Sequence, residues 1–139
     1  MKTKNIILIL VVIISLITYT SSALTVNKET AETVAKNWMI ETTNTVSMDV
    51  EETNALYENK EANVYAINFQ NGGWSLVSGS NLSHPIIAYS TEGKFDKENM
   101  PPALKQILDR FVNEVTEKNK NNAAQSIEIQ ESWERLDVP

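Results

Sequence analysis

Side chains that could form or break bonds are scarce in this chain. It contains no cysteine and a single histidine, His84. The missing thiol excludes a cysteine nucleophile, because the thiolate is the group that attacks. Serines surround the histidine at Ser75, Ser78, Ser80 and Ser83, but no nucleophile-elbow pattern accompanies them. The sequence therefore predicts a protein that is not an enzyme, with His84 as a solvated loop residue, and a hydrolase ranks last among the alternatives.

Acidic side chains supply no alternative chemistry. Glu51-Glu52 and the Glu58/Glu61 pair are typical of a solvated face rather than of paired catalytic carboxylates. A metal site needs several convergent ligands, and one histidine without cysteine offers few. We therefore expect no bound metal and no cofactor.

The first 23 residues have the layout of a secretory signal peptide. Lys2 and Lys4 precede the apolar run Ile6–Ile17, and Ser21-Ser22-Ala23 supplies small residues at the cleavage site. The apolar run is shorter than the roughly 20 residues that span a bilayer, so a retained anchor is the weaker alternative. We predict export to the periplasm or the medium, with residues 24–139 as the mature chain and no membrane association after cleavage.

Charge and length limit what the mature chain can bind. The net charge of the whole chain is −6, and removing the two signal-peptide lysines makes it more negative. Nucleic-acid binding requires clustered Lys and Arg and is therefore not expected. Without disulfides, stability must come from a buried apolar core, and about 116 residues are enough for one domain.

Apolar periodicity predicts helices in three places. The first has an apolar face of Ala31, Val34, Ala35, Trp38 and Met39, with Asn27 or Thr30 as its cap. The second begins at Pro101-Pro102, and its apolar positions are Leu104, Ile107, Leu108, Phe111, Val112 and Val115. A short C-terminal helix would place Ile129, Trp133 and Leu136 on one face. Trp133 is open to a second interpretation, as an exposed anchor for a partner.

Alternating residues between the first two helices predict strands. Val64–Phe69 and Trp74–Ser78 flank Asn71-Gly72, a pair that tolerates positive φ in a hairpin turn. Pro85 opens a further strand, Leu56-Tyr57 is a candidate for the first, and residues 41–54 are expected to form a loop with one short strand. Short connections favour an antiparallel meander. The predicted fold class is α+β, an antiparallel sheet of about four strands packed with two to three helices.

The run from Asn68 to Asp96 resembles the propeptide of streptopain-type cysteine peptidases. The similarity lies in three blocks: residues 68–79 (NFQNGGWSLVSG), residues 85–90 (PIIAYS), and Gly93 with Phe95-Asp96. The resemblance implies a streptopain-prodomain-like fold for residues 24–139. Because the chain has no nucleophile of its own, it also implies an inhibitor that blocks a secreted peptidase of this type from the same organism.

The resemblance also implies which segment inhibits. In streptopain-like zymogens the propeptide covers the active-site cleft, and the segment that reaches it corresponds to Gly93–Pro102. Asn99 matches the asparagine that occludes the cleft, although the same residue could simply cap the following helix. The implied inhibitory loop consists of Phe95, Asp96, Lys97, Glu98, Asn99, Met100 and Pro101. Two other functions stay open: a folding helper for the peptidase, and an envelope interaction module with no peptidase partner.

Overall fold

A four-stranded antiparallel sheet forms the centre of the protein. The computed structural model describes residues 25–57 and 62–139. The elements in chain order are α1 (Lys28–Thr43), β1 (Val50–Ala55), β2 (Val64–Phe69), β3 (Trp74–Ser78), β4 (Ile86–Ser90), α2 (Pro102–Lys120) and α3 (Ile127–Leu136). The strands are hydrogen-bonded in the order β1-β2-β3-β4, and each pair is antiparallel. The predicted α+β class and four-stranded meander are therefore confirmed.

The first strand confirms the short strand expected within residues 41–54, whereas the candidate at Leu56-Tyr57 is wrong. It occupies Val50–Ala55, so all but its last residue lies in that segment, and Leu56-Tyr57 follows it without forming a strand. Glu51 and Glu52 are exposed on this edge strand, so its apolar alternation is weak in the sequence. Pairing with β2 determines its position, as a register from Val50 opposite Phe69 to Ala55 opposite Tyr65 shows.

The β2–β3 hairpin turns on two glycines. Gly72 and Gly73 both have φ of +87°, so the left-handed conformations fall one residue later than the predicted Asn71-Gly72 pair. A Cβ on Gly73 would lie 2.9 Å from the carbonyl oxygen of Ser90 and 2.9 Å from Cε of Met39. The second glycine is therefore required by space as well as by backbone conformation.

Helices cover both faces of the sheet. On one face, which we call the α1/α3 face, the core joins Ile67, Phe69 and Val77 to apolar residues of α1 and α3. On the other, the α2 face, Ala66 and Leu76 pack with Leu108, Val112 and Val115 of α2. Alternate residues of β2 and β3 point to opposite faces, so these strands are buried on both sides.

The helix boundaries follow local capping chemistry in two cases and proline in the third. The side chain of Asn27 accepts a hydrogen bond from the Thr30 backbone N–H (2.8 Å) at the start of α1, as predicted. Ser126 has the corresponding role in α3. Helix α2 begins at Pro102, with Pro101 in the N-cap position and no side-chain cap. The interpretation of Asn99 as a helix cap is therefore wrong.

Two apolar side chains of the predicted helix faces differ from expectation in their exposure to solvent. Ile107 of α2 is 56% exposed, because the buried stripe of this helix is limited to Leu108, Val112 and Val115. Trp133 of α3 is only 7% exposed, and its Nε1 donates a 2.8 Å hydrogen bond to the carbonyl of Ser83. Trp133 is thus a core residue that fixes α3 and not a partner anchor.

The predicted signal peptide lies outside the described residues. Within residues 25–57 and 62–139, no helix has the length and apolar character needed to cross a bilayer.

Candidate functional site

The β4–α2 loop, residues 91–101, contains the whole predicted inhibitory loop, Phe95–Pro101, and Pro102 of the predicted segment is the first residue of α2. The chain leaves β4 at Ser90, turns at Gly93, where φ is +71°, and enters α2 at Pro102. Phe95 and Met100 pack against the core of the α2 face. Residues 96–99 between them are exposed. The loop therefore has two partly buried attachments and a solvent-facing tip.

A carboxylate organises that tip. Asp96 Oδ1 accepts a hydrogen bond from the Glu98 backbone N–H at 2.9 Å, and its Oδ2 accepts one from Asn99 Nδ2 at 2.5 Å. Chiefly the Asn99 amide, and then the Glu98 N–H, holds the pKa of Asp96 below its usual value. The Asn99 side chain is thus oriented by its own loop. Lys97 and Glu98 are exposed beside it, and Pro101 follows at the start of α2.

The base of the loop is held by Asn68, near the end of β2. The Phe95 backbone N–H donates to Asn68 Oδ1 at 2.7 Å, and Asn68 Nδ2 donates to the Phe95 carbonyl at 3.0 Å. Asn68 is only 4% exposed, and it lies 27 positions before Phe95. A single buried amide therefore satisfies both backbone groups of one loop residue.

Two further hairpin residues contact the same part of the loop. The Gly73 backbone N–H donates to the Gly93 carbonyl at 2.8 Å. The Trp74 and Phe95 rings meet edge to face, with centroids 5.5 Å apart. Asn68, Gly73 and Trp74, which we call the hairpin anchor, were not predicted to support the loop. The sequence feature that could have identified them is their position in the run 68–96, whose separate blocks lie next to one another in the folded protein.

His84 and the serines nearest to it in the sequence have surroundings that fit structural roles. The His84 side chain is 55% exposed, with Nε2 3.9 Å from Glu128 Oε1. Ser83 Oγ donates to Ser78 Oγ at 2.7 Å and Ser78 Oγ to the Ser80 carbonyl at 2.8 Å, so these hydroxyls hold a buried loop together. No cluster of three or more potential metal ligands occurs in the described part of the chain.

An open groove of about 530 Å³ lies on the α1/α3 face along β4. Its walls include Trp38, Tyr89 and Leu136, and Arg135 on its rim pairs with Glu41. The Trp38 and Tyr89 rings pack edge to face with centroids 5.4 Å apart. The β4–α2 loop packs on the opposite face of the sheet, so the groove and the loop are separate features.

A known protein family matches the part of the sequence that builds the loop and its anchor. The family described as Spi protease inhibitor matches residues 23–115, which include β1 to β4 and the whole β4–α2 loop. Streptopain of Streptococcus pyogenes is 36% identical over 62 residues, which cover 42% of this chain and 15% of that protein. The streptopains of serotypes M1 and M18 (strain MGAS8232) match to the same extent.

These comparisons have clear bounds. The chain spans about 15% of the length of the curated relatives it matches. No solved structure matches it. The family match nevertheless covers well over half of the chain, and it agrees with the resemblance found in the run 68–96. The protein is a streptopain-prodomain-like chain and belongs to the Spi protease inhibitor family.

Proposed function

We propose that the protein inhibits a streptopain-type cysteine peptidase by placing the tip of the β4–α2 loop in the active-site cleft. The observation that carries the proposal is an exposed tip on a loop whose two ends pack against the core, in a member of a protease inhibitor family. The whole loop lies inside the segment that matches the family. Binding, rather than catalysis by this chain, is the activity.

The loop geometry supports steric inhibition. Asn99 is oriented by Asp96, so its side chain is presented without first having to be ordered. Met100 is partly buried, and Pro101 restricts the backbone that follows. A loop that is already ordered loses little conformational entropy on binding, which leaves more of the contact energy as affinity. Asn99 and its neighbours would then obstruct the catalytic Cys/His pair or the substrate subsites, without any covalent step.

A free inhibitor must bind more tightly than a tethered propeptide. A propeptide benefits from an effective concentration that reaches about millimolar for short flexible links. A separate chain lacks that advantage, so preorganisation of the loop matters more for it. We further propose that the protein is exported, and that it protects the envelope of its producer against a peptidase from the same organism.

The decisive experiment is a titration of mature streptopain with the purified protein and with an Asn99→Ala/Met100→Ala double variant. We expect stoichiometric inhibition by the natural chain and an inhibition constant at least tenfold higher for the variant, in the range of interface hot spots. The matched control is Val46→Ala/Ser47→Ala, in the exposed α1–β1 connection, where Val46 is 99% exposed. This control is expected to inhibit like the natural chain.

Other outcomes would favour the alternative functions. Rescue of peptidase refolding at low stoichiometry, without inhibition of the folded enzyme, would favour a folding helper. Absence of binding to streptopain and to the producer's own peptidases at micromolar concentration would refute the inhibitor proposal. An envelope interaction module would then be the remaining alternative.

A further inference from the structure

The hairpin anchor controls how the β4–α2 loop can meet a peptidase. We infer that Asn68 is a positioning residue that makes the loop an inhibitor and not a substrate, because it holds the backbone in a form that resists cleavage. This inference rests on the proposed function. It concerns what happens to the loop once it is in the cleft, and so goes beyond the assignment of inhibitory residues.

Peptide bonds are cleaved in extended, accessible segments. A segment that pairs with an enzyme as a strand uses its own backbone N–H and C=O groups for that pairing. At Phe95 both groups are already occupied, by Asn68 Oδ1 at 2.7 Å and Asn68 Nδ2 at 3.0 Å. Phe95 therefore cannot form strand-like hydrogen bonds with a cleft unless both bonds to Asn68 break.

Hydrogen bonds also hold the tip of the loop in a folded conformation. Asp96 binds the Glu98 N–H and the Asn99 side-chain amide, which keeps residues 96–99 in a turn. The next two residues are fixed by Pro101 and by the partly buried side chain of Met100. With Asn68 holding one end, the segment cannot be drawn out into an extended strand. It can enter a cleft as a folded wedge.

The remaining anchor residues resist the same distortion. The Gly73 N–H holds the Gly93 carbonyl, and the Trp74 ring packs against Phe95. Because the sheet buries Asn68 to 4% exposure, its amide has a fixed direction and is shielded from competing water. Release of the loop would leave buried polar groups without hydrogen-bond partners, which costs free energy.

A purely structural role for Asn68 is the competing explanation, and Asn37 provides a matched control. Asn37 Nδ2 also makes two hydrogen bonds to distant backbone groups, the Leu136 and Val138 carbonyls, both at 2.8 Å. It holds the C-terminal segment rather than the loop. Loss of two amide hydrogen bonds is therefore common to Asn37→Ala and Asn68→Ala, whereas release of the loop is specific to Asn68.

The test follows the full chain and three variants, Asn68→Ala, Asn68→Asp and Asn37→Ala, during incubation with mature streptopain. Mass spectrometry measures cleavage in the β4–α2 loop, activity assays measure inhibition, and thermal unfolding measures stability. For both Asn68 variants we expect loop cleavage roughly tenfold faster or more, as expected from loss of one or two hydrogen bonds, with inhibition lost as the loop is cut. Asn37→Ala should stay uncut in the loop.

The outcomes of this test distinguish the role of Asn68 from the proposed inhibition of the peptidase. Asn68→Asp keeps the size of the side chain and replaces the donor that faces the Phe95 carbonyl, so it answers the question if Asn68→Ala does not fold. Normal inhibition with loops of both Asn68 variants uncut would overturn the inference and leave the proposed function intact. If the natural chain does not inhibit streptopain, subtilisin serves as the probe: faster cutting confined to residues 91–101 in the Asn68 variants supports the anchor, and unchanged cutting refutes it.

Discussion

At the scale of single residues, Asp96 gives the loop a pH dependence. Hydrogen bonds from Asn99 and Glu98 stabilise its charged form and lower its pKa from the usual 3.8. The stabilisation of the turn is therefore complete above the usual value and is lost as the pH falls through the lowered pKa. We expect the Glu98 amide and the Asn99 side-chain amide to change together below about pH 4, as measured by NMR.

The control for this titration is Asp96→Asn, which cannot ionise. In this variant, the Glu98 amide and the Asn99 side-chain amide should not show the transition that Asp96 protonation causes in the natural chain. Unchanged amide signals in the natural chain down to the point of global unfolding would contradict the role of Asp96. Because this carboxylate is fully exposed, Asp96→Asn is expected to change the loop and not the stability of the fold.

At the scale of elements, the β2–β3 turn depends on the absence of a side chain at Gly73. Gly73→Ala should destabilise the protein by about 2 to 4 kcal/mol, because the added Cβ meets the rigid Ser90 carbonyl at a positive φ. Gly93→Ala is the matched control, since its φ is +71° and no atom lies within 4 Å of the added Cβ. Its cost should be about 1 kcal/mol, from backbone conformation alone. Denaturant unfolding measures both, and equal costs would contradict the steric argument.

The hydrogen bond from Tyr57, which follows β1, to Asp109 of α2 predicts that the protein loses stability at high pH. Burial, followed by the hydrogen bond to Asp109 Oδ1 (2.8 Å), raises the pKa of Tyr57 to about 12. The folded state therefore keeps this proton when the unfolded state has lost it, and stability falls as the pH rises from about 10 to about 12. Tyr57→Phe should flatten this part of the profile of unfolding free energy against pH. An identical slope in the variant would refute the assignment.

At the scale of the whole molecule, α3 completes the α1/α3 core although it lies outside the segment that matches the family. Trp133→Phe removes the hydrogen bond from Nε1 to the Ser83 carbonyl and should lower the free energy of unfolding by about 1 to 3 kcal/mol. Inhibition of streptopain should not change while the variant is folded, because α3 packs on the face opposite to the loop. Weaker inhibition by the folded variant would contradict this and indicate that α3 contacts the peptidase.

The extent to which the sequence predicted the fold varied with the type of signal. Strong periodicity identified α1, α2, α3, β2 and β3, because each buries a regular apolar face. A short strand within residues 41–54 was expected, but the bounds of β1 were not predicted, since an exposed edge strand carries little alternation and takes its position from pairing with β2. Asn99 was proposed as a possible cap because asparagine favours that position, but Pro101 occupies it and the Asn99 amide binds Asp96.

Residue types and their order were enough to indicate the family and to exclude a cysteine nucleophile in this chain. It lacks a thiol, and it carries the blocks at 68–79, 85–90 and 93–96 that resemble streptopain-type propeptides, both of which are properties of residue type and order. The contacts that hold the loop are visible only in the folded chain: Asn68 meets Phe95, Gly73 meets Gly93, and Trp74 packs on Phe95. These partners are 20 or more positions apart in the chain, and no local propensity encodes them. They come together because the hairpin and β4 pair in one sheet, which brings the start of the loop next to the hairpin.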